Sequence, residues 1–334
     1  MSKQVLAGLE VSKDTLVVAY SVDGRKPIIS RFQNNPEGHA RLITRLTKNK
    51  RHTRICLEST GVYGLDVALA LDASPAIEVM HANPRAVRDF ARALMRRQKT
   101  DEVDALVLLE FARRMEFRPW HRPSDAALAL RSTSRRIETL ISTLVCEKNR
   151  LHALTQSESV PPVLVDTTKT LIAQIEQAIV ELRTHARSII RSDTGLQRRF
   201  EILVSIHGIG ERSGITILGE LAVLSPELDA RQWVAFAGLA PRIAQSGSSV
   251  NKKRGVGKAG NRYLKKALFM PAMTAIRDVD EAAQTRERLV SRGLRPIQAT
   301  VAVMRKLLHL IYALFRDDRL YQRHYRTFKT PKVA

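Results

Sequence analysis

The chain has 334 residues, enough for two or three domains with separate cores, and is 44% hydrophobic but only 5% aromatic. A formal net charge of +22 and a pI near 10.6 make a polyanion the expected partner, and nucleic acid the foremost one. Two cysteines without metal-ligand spacing exclude a disulfide framework; no signal peptide and no apolar run of the ~18 residues that a membrane span needs is read, so a cytoplasmic, nucleoid-associated protein without a membrane partner is expected.

Residues Val5–Ala19 read as two short β-branched runs around a turn at Ser12-Lys13-Asp14, and Lys26–Phe32 adds a third strand to the meander. Pro36–Leu46 has helical spacing. Thr53–Leu57 is an apolar run of the kind found in central strands, and Ser59-Thr60-Gly61 breaks it into a helix from about Val62 to Leu71. Ile77–Met80 is a further strand, and Pro84 suits the first position of the next helix. A meander followed by alternating strands and helices implies an α/β domain with a mixed sheet, assigned to residues 1–120. Cys56 and Cys146 are read as small buried or half-buried residues.

Four acids stand out in this domain. Glu10 and Glu58 end two strands, and Asp101 and Asp104 open a helix running to about Arg114. A spacing of three puts the two aspartates on one helical face. Such acids gathered together require a divalent cation, and hard oxygen ligands favour Mg²⁺ or Mn²⁺. Taken singly, the same residues read as helix N-terminal charges and strand-edge solubility.

Pro119-Trp120 and Pro123 mark a boundary. From Ser124 to Leu154, Leu130, Ile137, Leu140, Leu144 and Leu151 recur at helical spacing. After Pro161-Pro162 a second helix spans about Leu164 to Ile190. The pair, residues 124–192, suggests an antiparallel hairpin or coiled coil, serving as an internal spacer or as a dimerisation arm. Leu203–Leu221 resembles a helix-hairpin-helix whose Ile206–Gly210 turn, with Gly208 and Gly210, offers backbone N–H groups to a phosphate; plain helix packing is the alternative. Met270, Met273, Met304, Leu307 and Leu308 look like core, and the basic tail from Arg316 to Lys332 is expected to be poorly ordered.

From Gly238 to Arg277 there are nine Lys/Arg and no Asp/Glu, on a backbone broken by Gly247, Gly255, Gly257 and Gly260. This reads as a basic, glycine-rich loop around Gln245-Ser246-Gly247-Ser248-Ser249, in which glycines let the backbone approach phosphates closely. Ser246 is the candidate nucleophile. Arg242, Ser248, Lys252, Lys253, Arg254, Lys258 and Arg262 are candidate nucleic-acid contacts. A flexible Ser-Gly-Ser loop is the bland reading of the same residues.

Eight motifs in one order carry a resemblance over nearly the whole chain: Gly8–Lys13, Cys56–Gly64, Asn83-Pro84, Lys99–Ala105, Ile206–Gly210, Phe236–Arg242, Gln245–Ser249 and Lys258–Leu268. The chain resembles insertion-sequence transposases with an N-terminal RuvC-like (RNase H-like) domain and a C-terminal serine domain, the bridge-RNA-guided DNA recombinases. The resemblance implies a RuvC-like α/β domain, a helical coiled-coil arm, and a mostly α domain over residues 196–330 that carries the nucleophilic serine. It implies that Glu10, Glu58, Asp101 and Asp104 take the metal positions and Ser246 the nucleophile position. It also implies a 5′-phosphoserine intermediate, DNA and a structured guide RNA as partners, and a homodimer or homotetramer sharing its active site. One position departs from the pattern: the family's first acid is aspartate where this chain has Glu10. A metal-dependent junction nuclease with Ser246 as a phosphate contact is one alternative, and a catalytically weakened nucleic-acid-binding homologue, suggested by Glu10, is another.

Overall fold

The computed structural model describes residues 4–58, 63–95, 100–156, 158–246, 250–256 and 260–322, with residues 242–246 and 250–255 described by backbone alone. It divides into two compact units, Met1–Arg122 and Pro123–Ala334.

The first unit is built on a five-stranded sheet of order β3-β2-β1-β4-β5. β1 (Gln4–Val11), β2 (Thr15–Val22) and β3 (Ile28–Gln33) form the expected antiparallel meander, and β4 (His52–Glu58) and β5 (Ile77–Ala82) add in parallel beside β1. This mixed arrangement is consistent with a RuvC-like domain. The central strand β1 is apolar on both faces because both are covered. Val5, Ala7 and Leu9 join Ile55 and Leu57 of β4 in a core with residues of α1 (Pro36–Thr47) and α2 (Tyr63–Asp72). Each fully buried leucine there contributes about 1.5–3 kcal/mol.

The alternate residues of β1, β2 and β4 meet α3 (Pro84–Ala93) and α4 (Asp101–Arg114) on the other face. Cys56, Met80 and Ala82 pack with Val87, Val107, Leu108 and Phe111, while Val17 and Ala19 pack with Ala105 and Leu109. Gly8 permits this. A Cβ there would lie 2.2 Å from Leu109 N and 2.3 Å from Ala105 O, so the helix backbone rests directly on the strand.

The second unit is mostly helical. α5 (Asp125–Leu154) and α6 (Pro162–Ser192) form an antiparallel hairpin; Leu140, Ile175 and Ile179 line its outer part, and Lys148 pairs with Glu176 at 2.7 Å. Its base is continuous with the rest of the unit: Leu130, Ile137, Ala186, Ile189 and Ile190 share one core with α7 (Thr194–Ser205), α8 (Glu211–Leu221), α9 (Ala230–Phe236), α10 (Arg262–Asp278) and α12 (Pro296–Arg316). Hence 124–192 and 196–330 fall in one compact unit. α11 (Asp280–Ser291) joins α10 to α12.

Several sequence expectations change here. The glycine-rich stretch is not simply a loop: β6 (Pro241–Ser246) and β7 (Val250–Val256) pair as an antiparallel hairpin, with a bulge opposite Pro241/Arg242. Met270 is 63% exposed and Met273 38%, so these two leave the core that Met304, Leu307 and Leu308 occupy. Cys56 is buried as expected, but Cys146 is exposed. α12 is long and apolar enough to meet a membrane-span criterion by length and composition, contrary to the sequence reading. Its burial of Val303, Leu307, Leu308, Ile311 and Leu314 in the unit's core explains that composition without a membrane. The basic tail beyond 322 lies outside the described residues.

Candidate active site

In the first unit, register brings two of the expected acids side by side. β1 and β4 are paired in parallel as far as Leu9 and Leu57, and Glu10 and Glu58 follow one step on. Leu9 and Leu57 belong to the α1–α2 face, so alternation turns Glu10 and Glu58 to the α4 face. The partner of Glu10 across β2 is Val17, which packs against Ala105 and Leu109 of α4. Val17 in turn pairs with Arg31 of β3, and Arg31 is ion-paired to Glu102 in the first turn of α4. One row across the sheet, Glu58–Glu10–Val17–Arg31, thus meets the helix start that carries Asp101 and Asp104.

That helix start has a local cause. Thr100 is the N-cap, its hydroxyl accepting from Val103 N at 3.3 Å. The acids that follow complement the helix dipole. Glu102, the acid of this turn that is not among the four candidates, is engaged by Arg31, which holds its carboxyl below its usual range. Glu10, Glu58 and Asp104 are half-buried and Asp101 is exposed. The Glu58 charge also reaches Cys56, whose thiol is pushed up to about 12, first by burial and then by that carboxylate.

Hard carboxylate donors from two strand ends and one helical turn suit a divalent cation. Register brings Glu10 and Glu58 to one end of one face, and the Arg31–Glu102 pair ties the start of α4 to the same row. Among the described residues, however, no group of three or more His, Cys, Asp or Glu is gathered so as to hold a metal ion. Residues 59–62 and 96–99, close to Glu58 and Asp101, lie outside the described residues.

In the second unit, Ser246 is the last residue of β6 and pairs in register with Val250. Alternation puts 242, 244 and 246 in one set of positions, with 250, 252 and 254 opposite them. Arg242, Lys252 and Arg254 therefore share Ser246's set, and Lys253 falls in the other. Ser248 and Lys258 lie outside the described residues.

The Ile206–Gly210 connection does join two helices. Gly208 has φ +89° and abuts α10, where a Cβ would come within 3.0 Å of Thr274 and 3.1 Å of Pro271 O. His207 Nε2 lies 2.9 Å from Asp278 Oδ2, tying the turn to the end of α10. Arg277 first, and His207 second, hold the Asp278 carboxyl well below its usual range. Gly210 caps α8 with open space around its Cα. Arg262 is exposed, with its guanidinium 4.8 Å from the Tyr263 ring. It lines a groove of about 820 Å³ together with Arg212, Lys266, Met270 and Met304.

Sequence reasoning missed a fully buried acid, Glu220. Arg135 donates to it from Nε at 2.6 Å and from Nη2 at 2.9 Å, and Asn261 Nδ2 donates at 2.6 Å. Arg131 Nε stands at 3.6 Å, near enough for charge pairing but not for a hydrogen bond. Removing one partner of such a buried pair costs about 3–5 kcal/mol. The available signal was an acid set inside the apolar run Ile215–Leu221.

Two family models match successive parts of the chain: a DEDD-type transposase model over residues 7–158, and the transposase IS116/IS110/IS902 family over residues 200–288. The chain is 28% identical over 325 residues to the pilin gene-inverting protein of Moraxella bovis, covering 96% of this chain and 98% of that protein. It is 30% identical over 122 residues to an uncharacterized 43.6 kDa protein of insertion element IS110 from Streptomyces coelicolor, covering 36% of this chain and 30% of that one. The family models make this a DNA transposase or recombinase of the DEDD class, a class that points to use of a divalent metal, and the mixed sheet with carboxylates at adjacent strand ends is consistent with it. The chain belongs to the IS110/IS116 transposase family.

Proposed function

We propose that this transposase cuts and rejoins DNA strands through Ser246, with Glu10, Glu58, Asp101 and Asp104 holding Mg²⁺ or Mn²⁺ and a structured non-coding RNA choosing the target. The observation that carries the reading is the row that sets Glu10 beside Glu58 on the sheet face that α4 covers, with Arg31 of the same row paired to Glu102 in the first turn of that helix. A divalent cation bound there supplies charge stabilisation at the scissile phosphate and the departing 3′ oxygen. Ser246 Oγ forms a bond to phosphorus as the bond from phosphorus to the 3′ oxygen breaks. The hydroxyl loses its proton and the 3′ oxygen gains one. The resulting 5′-phosphoserine ester retains the bond energy, so a 3′ hydroxyl rejoins the strand without ATP. Arg242, Lys252 and Arg254 neutralise the phosphate from register positions alternate with Ser246. Gly208, Gly210, Lys253, Lys258, Arg262 and Ser248 serve as backbone contacts on nucleic acid.

Gene inversion, for which the Moraxella relative is named, requires that every cut be resealed. A covalent intermediate does this and hydrolysis does not, which favours the recombinase over a junction nuclease. The acids of one copy act with Ser246 of another, in a dimer or tetramer with α5 and α6 as the dimerisation arm. Target choice by RNA rests on the family resemblance and on a net charge of +22.

The test is to trap the intermediate on a nicked DNA substrate with the RNA from the element's own flanks. A denaturation-resistant protein–DNA adduct should form with Mg²⁺ and vanish in Ser246→Ala and in Asp104→Asn. Strand cleavage that survives Ser246→Ala and leaves free 5′ phosphates would establish the nuclease instead. Glu10→Asp should retain or raise adduct formation, since a shift of ~1 Å is worth about 10²-fold. A chain that binds DNA but forms no adduct even with that change is the non-catalytic homologue.

A further inference from the structure

The β6–β7 hairpin is a two-stranded sheet, and a two-stranded ribbon by itself is marginal in water. Its orientation must come from the residues that flank it, an incoming stem at 236–240 and an outgoing stem at Gly260 and Asn261, and these touch. Gly260 has φ +108°, and a Cβ there would lie 2.3 Å from Gly238 Cα, so the two backbones are in contact at a point no side chain fits. Asn261 N donates to Phe236 O at 2.8 Å, linking the outgoing stem to the incoming one. The Asn261 side chain then works in two directions. Its Oδ1 accepts from Tyr263 N and Leu264 N, both at 3.0 Å, to start α10. Its Nδ2 donates to the buried Glu220, which Arg135 of α5 holds with two further bonds.

We infer that Glu220 is a positioning residue for Ser246, acting through Asn261 to fix the stems of the strand that ends at that serine. The inference rests on the reading of Ser246 as the attacking group. A wholly buried carboxylate is a poor source of stability, because well-packed apolar residues in its place are often as stable. What it adds is direction. Three hydrogen bonds from two residues hold one geometry where apolar contacts tolerate several. The cost of losing that geometry falls on the reaction, since displacing a reacting group by ~1 Å lowers a rate by about 10²-fold.

The test compares Glu220→Gln, Asn261→Ser and the core-cavity control Leu308→Ala in the full-length protein. Asn261→Ser keeps a hydroxyl to cap α10 while removing the donor to Glu220, so it separates the pin from the cap. Two readouts are taken: backbone amide exchange in peptides covering 241–256, and the rate of covalent adduct formation at saturating DNA. Both pin variants should exchange at least ~10-fold faster in those peptides and form adduct about 10–10²-fold more slowly, with DNA affinity within about twofold. Leu308→Ala should lower the melting temperature and leave hairpin exchange unchanged. Wild-type exchange in the hairpin of both pin variants, or faster exchange throughout the unit in all three proteins, overturns the inference. The reading of Ser246 fails separately: an adduct that persists in Ser246→Ala removes the nucleophile, whatever the exchange data give.

Discussion

Two close glycine contacts, one in each unit, hold the expected catalytic groups by opposite means. In the first unit Gly8 lets α4 lie against β1, and an apolar sheet core on both faces fixes the register that sets Glu10 beside Glu58. In the second unit Gly260 lets two stems touch, and a buried charged residue with hydrogen-bonding partners fixes the hairpin whose first strand ends on Ser246. Apolar packing is periodic and tolerant. Buried hydrogen bonding is local and exacting. The acids should therefore be robust to small polar changes around them, and the serine should not.

The largest effect is expected from Gly260→Ala. It combines an unfavourable positive φ with a Cβ 2.3 Å from backbone, and strain plus overpacking should destabilise the hairpin region by about 3 kcal/mol or more. Amide exchange should rise at residues 236–264 and stay unchanged in β1–β5. Gly8→Ala is its counterpart. With three backbone atoms of α4 inside 2.7 Å of the new carbon, it should cost about 2–3 kcal/mol in the first unit only, read by urea melting with exchange resolved by unit. If either change loosens both units equally, the contrast between them is lost.

A smaller effect is expected at the Ile206–Gly210 turn. Asp278 has its pKa lowered by Arg277 and His207, so its contribution is complete above the ordinary aspartate pKa of 3.8 and fades as pH falls below it. Protection of the turn's amides, relative to the intrinsic exchange rate at each pH, should fall on acidification below about pH 4 in the wild type. Asp278→Asn should show the acid behaviour already at neutral pH. Smallest of all is a chemical contrast: with its thiol pushed up to about 12, buried Cys56 should resist alkylation at pH 8, while exposed Cys146 reacts readily. Rapid labelling of Cys56 would mean that the α4 face opens.

The first unit was largely legible in the sequence because strand alternation and short apolar runs are strong signals. The meander, the TRICL strand and the helix opening at Asp101 all stand within a few residues of where periodicity puts them. The adjacency of Glu10 and Glu58 followed less directly, since it depends on β4 inserting next to β1 rather than after β3. The second unit's hairpin was illegible for a physical reason. Arg242, Lys252, Lys253 and Arg254 occupy both alternate sets, so no apolar stripe marks a strand, and glycine content suggests a loop. Glu220 was hidden differently, as a lone acid in an apolar helix whose partners lie 85 residues upstream and 41 downstream. Met270 failed because spacing along α10 does not tell a groove lining from a core.

The origin of the oxygen at the cleaved phosphorus tests the central claim most directly. Cleavage and rejoining in water enriched with heavy oxygen, followed by mass analysis of the junction phosphate, should give no label in the product, because Ser246 rather than water attacks. Heavy oxygen at the junction phosphate, gained at the rate of strand cleavage, would contradict it and assign the bond-breaking step to hydrolysis.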